Sequence, residues 1–106
     1  MPKPWRLTRQ AEASLIEIAR WTVETFGRRQ AAAYEDDLIS TCHEIAAGTA
    51  LSQHCRRLID PDLVEDLRFA RAGQHFVVFV EDAEQVIILD FLHSRADLPR
   101  RLANLP

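Results

Sequence analysis

An α+β domain is the fold class the sequence predicts. The expected order is β–α–α–β–β–β: an N-terminal strand, an α-helical hairpin packed on a curved antiparallel sheet, and a short C-terminal helix or tail. Two adjacent stretches carry apolar residues at spacings of three and four, parted only around Gly27. Three later stretches are rich in Val, Ile and Phe and are separated by short turns, which suits hairpins and not crossovers. The 106 residues make one compact domain, residues 1–106, with no internal repeat.

KPWRL (residues 3–7) follows two prolines and precedes a capping residue, so it is read as the first strand. Thr8 is the expected N-cap, because its hydroxyl can accept from an otherwise unpaired amide of the first turn. Ala11, Leu15, Ile18, Thr22 and Phe26 then share one helix face, and Gly27 supplies a left-handed C-terminus. Ala31, Tyr34, Leu38, Cys42 and Ile45 form the stripe of a second helix that ends at Gly48. Two such helices joined at once must fold back on each other. Residues 49–64 hold turn-formers, with Asp60 a candidate cap for a single turn begun by Pro61. The strands expected after them are DLRFA, QHFVVFVE and QVIILDFLH.

In a half-exposed strand one alternate set is polar. Here His75, Val77, Phe79 and Phe76, Val78, Val80 are both mainly apolar sets, and so are Val86, Ile88, Asp90, Leu92 and Ile87, Leu89, Phe91. One helical hairpin covers one sheet face. Residues 98–106 are too few to cover the other, so an open, protein-binding face is expected.

Thirteen Lys and Arg against sixteen Asp and Glu give a formal charge of −3, which disfavours direct nucleic-acid binding. The longest apolar runs, FVVFV and VIIL, are far short of a membrane span, and the first residues lack a secretory apolar region. A soluble, cytoplasmic protein is expected. Cys42 and Cys55 show no CxxC spacing and are read as a reduced helix cysteine and a reduced loop cysteine.

The chemistry-bearing cluster is FLHSRADL, which sets His93, Arg95 and Asp97 within five residues. A nucleolytic site needs a general base, a general acid and a cationic clamp. His75 offers a second imidazole, and Arg56, Arg57, Arg68 and Arg71 offer clamps. The commoner role of a strand-end histidine is a hydrogen-bonded surface or core residue. His43, His54, His75 and His93 lack metal-ligand spacing, Asp36-Asp37 reads as a solvated helix face, and no metal or cofactor is expected. Trp5 and Trp21 are possible partner anchors, although a core position under the helical hairpin is the commoner reading of Trp21.

The ordered set RLTRQAEASLIEIARWT, FGRRQAAAYEDDLISTCHEIA, LRFARAGQHFVVFV and VIILDFLHSRADLPRRL resembles the ParE branch of the RelE/ParE superfamily, the toxin halves of bacterial type II toxin–antitoxin pairs. The resemblance covers nearly the whole chain, with residues 49–64 poorly matched. It implies a non-enzymatic toxin neutralised by a ParD-like antitoxin and acting on DNA gyrase. The alternatives are a RelE-like mRNA endonuclease using Arg68, His75 and His93, or a non-toxic module that only binds its partner. RelE-like nucleases carry several lysines and arginines on the sheet and a C-terminal tyrosine, whereas this chain has no lysine beyond Lys3 and no tyrosine beyond Tyr34. Val80 and Asp90 stand where many relatives carry basic residues. The expected antitoxin contacts are among Phe76, Val78, Phe79, Phe91 and Leu92, and the expected target contacts are Arg95, Arg100 and Arg101.

Overall fold

The computed structural model describes residues 2–55 and 66–103. Strand β1 (Trp5–Leu7) leads into helix α1 (Arg9–Phe26), which reverses at Gly27 into α2 (Arg28–Ala47). Strands β2 (Ser52–His54), β3 (Arg68–Ala72), β4 (His75–Glu81) and β5 (Val86–His93) follow, then the short helix α3 (Leu98–Ala103).

The local signals act as their chemistry requires. The Thr8 hydroxyl accepts from the Ala11 amide at 3.1 Å and so caps α1. Gly27, at φ 92°, adopts the positive dihedral that lets two helices meet without a loop. Gly48 is left-handed and returns its N–H to the carbonyls of Glu44 and Ile45. The β4–β5 turn is closed by Asp82, whose Oδ1 accepts from the amides of Glu84 and Gln85, both at 2.8 Å.

The sheet order is β1-β5-β4-β3-β2. Neighbours from β3 to β5 are antiparallel as expected, and β2 is antiparallel to β3, but β1 lies parallel to β5, with Trp5 opposite Val86, so the sheet is mixed. β2 was not anticipated. Its three residues pair with β3 at the sheet edge and are too few to show a period. The turn expected at Asp60-Pro61 lies outside the described residues.

A β-bulge explains why both alternations in β5 looked apolar. Val78 pairs with Asp90 and Phe79 with Ile88, which leaves Leu89 as an extra residue. The inward set therefore changes parity within the strand. Val86, Ile88 and Phe91 all join Val77, Phe79, Leu38, Cys42 and Ile45 in the cluster beneath the helices. On the opposite face Val78 and Leu92 are buried with Cys55, Leu67 and Leu102. The expectation of an open second face is thus corrected, because Leu102 of α3 and the residues flanking β2 and β3 cover its centre. Of the five residues expected to meet an antitoxin, Phe79 and Phe91 lie under the helices, Val78 and Leu92 lie under the second cover, and Phe76 alone keeps accessible surface.

A second correction concerns Trp21. Its side chain is 59% exposed, because it sits on the flank of α1 and not on the Ala11–Leu15–Ile18–Thr22 stripe. The two cysteines are buried and free, and burial pushes their thiols up to about 12 for Cys42 and about 11 for Cys55. They are packing groups and poor nucleophiles.

Two stability measurements follow from this packing. Thr8→Ala removes the cap of α1 and should lower the unfolding free energy in urea by about 1–2 kcal/mol. Leu102→Ala opens the second face and should cost about 2–5 kcal/mol, with a rise in binding of an apolar dye by the folded chain. An unchanged urea midpoint for Leu102→Ala would show that α3 does not cover that face.

Candidate functional site

His75 opens β4 and His93 closes β5, and the register sets them directly opposite each other. Their rings meet edge to face with centroids 5.1 Å apart. Both lie on the helix side of the sheet, at the end nearest the helical hairpin's turn. Tyr34, on the buried stripe of α2, reaches down to this pair.

The Tyr34 hydroxyl lies 2.6 Å from Nδ1 of His75, accepts from the Gln74 amide at 3.0 Å, and has the Ala72 carbonyl at 3.3 Å. One hydroxyl proton serves two acceptors here, and the shorter imidazole contact is the better geometry. The Tyr34 O–H is therefore assigned as the donor to Nδ1, which leaves the His75 ring proton on Nε2. In His93 it is again Nδ1 that is occupied, accepting from the Arg95 amide at 3.0 Å. Burial, and then the neighbouring His93, hold His75 well below the usual histidine range, at about 4. Burial also raises the Tyr34 phenol, with a smaller push from Asp37, against the lowering effect of the Gln74 amide. Tyr34 and His75 are thus both neutral around pH 7.

Gly73 makes this approach possible. It has φ 59°, and a Cβ there would lie 2.6 Å from Cε1 of Tyr34 and 2.9 Å from its hydroxyl. The β3–β4 turn and α2 are keyed together at this point.

Above the dyad, the side chains of α1 and α2 enclose an open pocket of about 600 Å³. Trp21 and Phe26 stand at its mouth, edge to face at 5.8 Å, with 59% and 55% of their surfaces exposed. Tyr34, Gln74, His75 and His93 line it, and Glu17 is the one formally charged residue among the described residues that do.

The nuclease candidates do not converge. His75 and His93 adjoin, but Arg68 pairs across the sheet with Phe79, four positions along β4 from His75. At about 3.3 Å per residue that is more than 10 Å. Its guanidinium is held by the Ser52 hydroxyl (3.0 and 3.1 Å) and by Nε2 of His54 (3.0 Å). Arg71 bonds the Gly73 carbonyl at 2.9 Å and lies over the Phe76 ring at 5.5 Å, while Arg56 and Arg57 fall outside the described residues. Arg95, Asp97, Arg100 and Arg101 are all exposed around the β5 exit and α3, and the Asp97 carbonyl accepts the Arg101 amide at 2.9 Å. Trp5 donates to Nδ1 of His43 at 3.3 Å, on the far side of the helices. Asp36 and Asp37 are exposed on α2, and no cluster of three His, Cys, Asp or Glu that could hold a metal occurs among the described residues. No described helix is long and apolar enough to cross a membrane.

Sequence reasoning missed the Tyr34–His75 contact. The available signal was the lone tyrosine on an otherwise aliphatic stripe, since a buried hydroxyl requires a partner.

Known proteins match this chain over most of its length. The family model for the ParE toxin of the type II toxin–antitoxin system parDE matches residues 5–98. Toxin ParE1 of Caulobacter vibrioides is 34% identical over 92 residues, 87% of this chain and 90% of that protein. Toxin ParE of Escherichia coli is 33% identical over 99 residues, 92% of this chain and 91% of that one. Among solved structures, the fold is similar to a chain of the chromosomal ParDE system from P. aeruginosa, with a TM-score of 0.68, 18% identity, and coverage of 86% of this chain and 95% of that one. It is also similar to a chain of the RelBE2 toxin–antitoxin complex of Mycobacterium tuberculosis, with a TM-score of 0.56, 20% identity, and coverage of 88% and 99%. The match over residues 5–98, with a third of the residues shared with two ParE toxins, places the chain in the ParE toxin family of type II toxin–antitoxin systems.

Proposed function

We propose that this chain is a cytoplasmic toxin that inhibits DNA gyrase by binding it, breaks no bond itself, and is held silent by direct contact with a ParD-like antitoxin. The observation that carries the non-nucleolytic part is the scattering of Arg68, His75 and His93, the trio named for nuclease chemistry. Arg68 is tied to Ser52 and His54 at one end of the sheet, while His75 and His93 sit at the other. A phosphoryl clamp must lie within hydrogen-bond reach of the reacting group, and one such donor contributes on the order of 3 kcal/mol. His75 is also a neutral imidazole near pH 7 and not an imidazolium acid, since burial holds it at about 4.

Gyrase as the target rests on family membership and on an exposed basic surface. Arg95, Arg100 and Arg101 stand near one another in sequence around α3 and face solvent. They are the residues assigned to the target contact. The antitoxin contact is assigned to surface that the free chain leaves accessible, which includes Phe76 but not the four buried sheet residues named with it.

Supercoiling of relaxed plasmid by purified gyrase should be inhibited by the purified chain, while primer extension on translated messages should show no new cleavage. Cleavage at codon boundaries with gyrase still active would establish the nuclease reading instead. Normal growth after induction of the free chain would point to a non-toxic, partner-binding module.

The neutral His75 also makes a pH prediction. Its folded pKa lies below its unfolded value of 6.5, so below about pH 6.5 the unfolded chain takes up a proton that the folded chain refuses. Stability from this group is complete above that pH and is lost progressively as pH falls towards 4. The urea midpoint should therefore drop between pH 7 and pH 4.5, and His75→Gln should show a smaller drop over the same interval.

A further inference from the structure

At the end of the sheet away from His75, Arg68 is held in one orientation by neutral groups. Its Nε and Nη2 both donate to the Ser52 hydroxyl, at 3.1 and 3.0 Å, and its Nη1 donates to Nε2 of His54 at 3.0 Å. A guanidinium accepts no hydrogen bond, so His54 is the acceptor and its ring proton sits on Nδ1. Three of the five guanidinium N–H groups are thereby used, and one remains on each terminal nitrogen. Among the described residues, no Asp or Glu lies within ion-pair distance of this half-buried arginine.

The nearby acids are engaged elsewhere or solvated. Glu81 pairs with Lys3 at 2.7 Å, and the Asp82 carboxylate accepts from the amides of Glu84 and Gln85. Asp66 is exposed. Arg68 is therefore a fixed cation without a counter-charge, and its two remaining N–H groups match the two oxygens of one carboxylate. Two open hollows meet at it. One, about 400 Å³, has Leu51 and Phe79 in its lining, and the other, about 390 Å³, has Lys3, Asp66 and Asp82; Arg68 and Glu81 line both. Leu51 is 94% exposed, so its side chain is free to meet a ligand. A groove that continues on both sides of its anchor suits a passing chain better than an enclosed small molecule. The acids of the second hollow repel a run of phosphates, which disfavours a nucleic-acid backbone.

We propose that Arg68 anchors a peptide-binding groove, which takes a polypeptide segment in which an aliphatic residue adjoins an Asp or Glu. The carboxylate sits on the two remaining N–H groups of Arg68, and the aliphatic side chain lies against Leu51 in the first hollow. Ser52 and His54 are positioning residues that hold the guanidinium ready. This groove is separate from the concavity beside His75, and it rests on neither the gyrase reading nor the antitoxin reading.

The test is a titration of the isotope-labelled full chain with the blocked dipeptide N-acetyl-leucyl-glutamyl amide, followed by NMR. The Arg68 Nε–H and the backbone amides of Leu51 and Ser52 should shift saturably. The glutaminyl analogue has the same shape without the charge and should bind about tenfold more weakly. Acetate alone should bind several-fold more weakly, for want of the apolar contact. Arg68→Lys keeps the charge but loses the fork, so it should weaken the dipeptide several-fold. Leu51→Ala, at a position with no packing to lose, should weaken the dipeptide and leave acetate unchanged. Equal binding of the glutamyl and glutaminyl peptides, or no saturable shift with either, would overturn the proposal without recourse to any variant. Acetate binding as tightly as the dipeptide would replace the polypeptide by a free small acid. Inorganic phosphate binding more tightly than the dipeptide would reassign the groove to a phosphate ligand. Full dipeptide affinity in Arg68→Lys would show that the arginine only ties β2 to β3.

Discussion

The fold turns on one irregularity, the extra residue at Leu89 in β5. Beside it the N-cap of α1 is fastened to β5: the Leu89 carbonyl accepts the Thr8 hydroxyl at 2.8 Å, and the Thr8 amide donates to the Ile88 carbonyl at 3.0 Å, continuing the parallel β1–β5 ladder. The next residue, Asp90, is only 2% exposed, and its Oδ1 accepts from the Ser14 hydroxyl and from the Phe91 amide. A buried carboxylate without such donors would be strongly unfavourable. One threonine and one serine therefore fix the start and the second turn of α1 against the central strand. The direction of α1 then decides that Trp21, two turns beyond Ser14, arrives above His93.

The same irregularity limited what could be read from sequence. Periodicity located both helices, the hairpin at Gly27 and the three long strands, because each signal was local: spacing, a cap, a glycine, a turn. Strict alternation assumes an unbroken pleat, and Leu89 breaks it, so Phe91 is on the helix side although Ile87 is not part of that core. The apparent excess of apolar residues on both faces was partly this change of parity and partly a real second core under Leu102 and Cys55. Trp21 was misjudged for a related reason. Its place on the α1 wheel is a flank, and whether a flank is covered depends on how far the sheet extends beneath it. The His75–His93 pair was visible as two strand-end histidines, but their union with Tyr34 depends on how α2 crosses the sheet, which no local pattern encodes.

Polar groups at the site are used to remove charge. The Tyr34 phenol is spent on an imidazole, burial holds that imidazole neutral, and Nδ1 of the His93 ring accepts from a backbone amide. Catalytic sites more often leave one such group poised to exchange a proton. Charge in this protein is kept elsewhere, on the arginines around α3 and on the Lys3–Glu81 pair that fastens the chain's start to the β4–β5 turn at 2.7 Å. The apolar concavity beside His75 and the exposed basic side chains around α3 thus lie in separate parts of the fold.

The two hairpin turns differ in what they allow an experimenter to attach. The turn at Asp82 closes on its own carboxylate and on Lys3, and faces solvent. It can host a spliced epitope or a fluorophore without disturbing the core. The turn at Gly73 is packed against the Tyr34 ring, with no room for even a methyl group. An insertion there would pry α2 from the sheet, so a reporter meant to watch the free toxin belongs at residues 82–85.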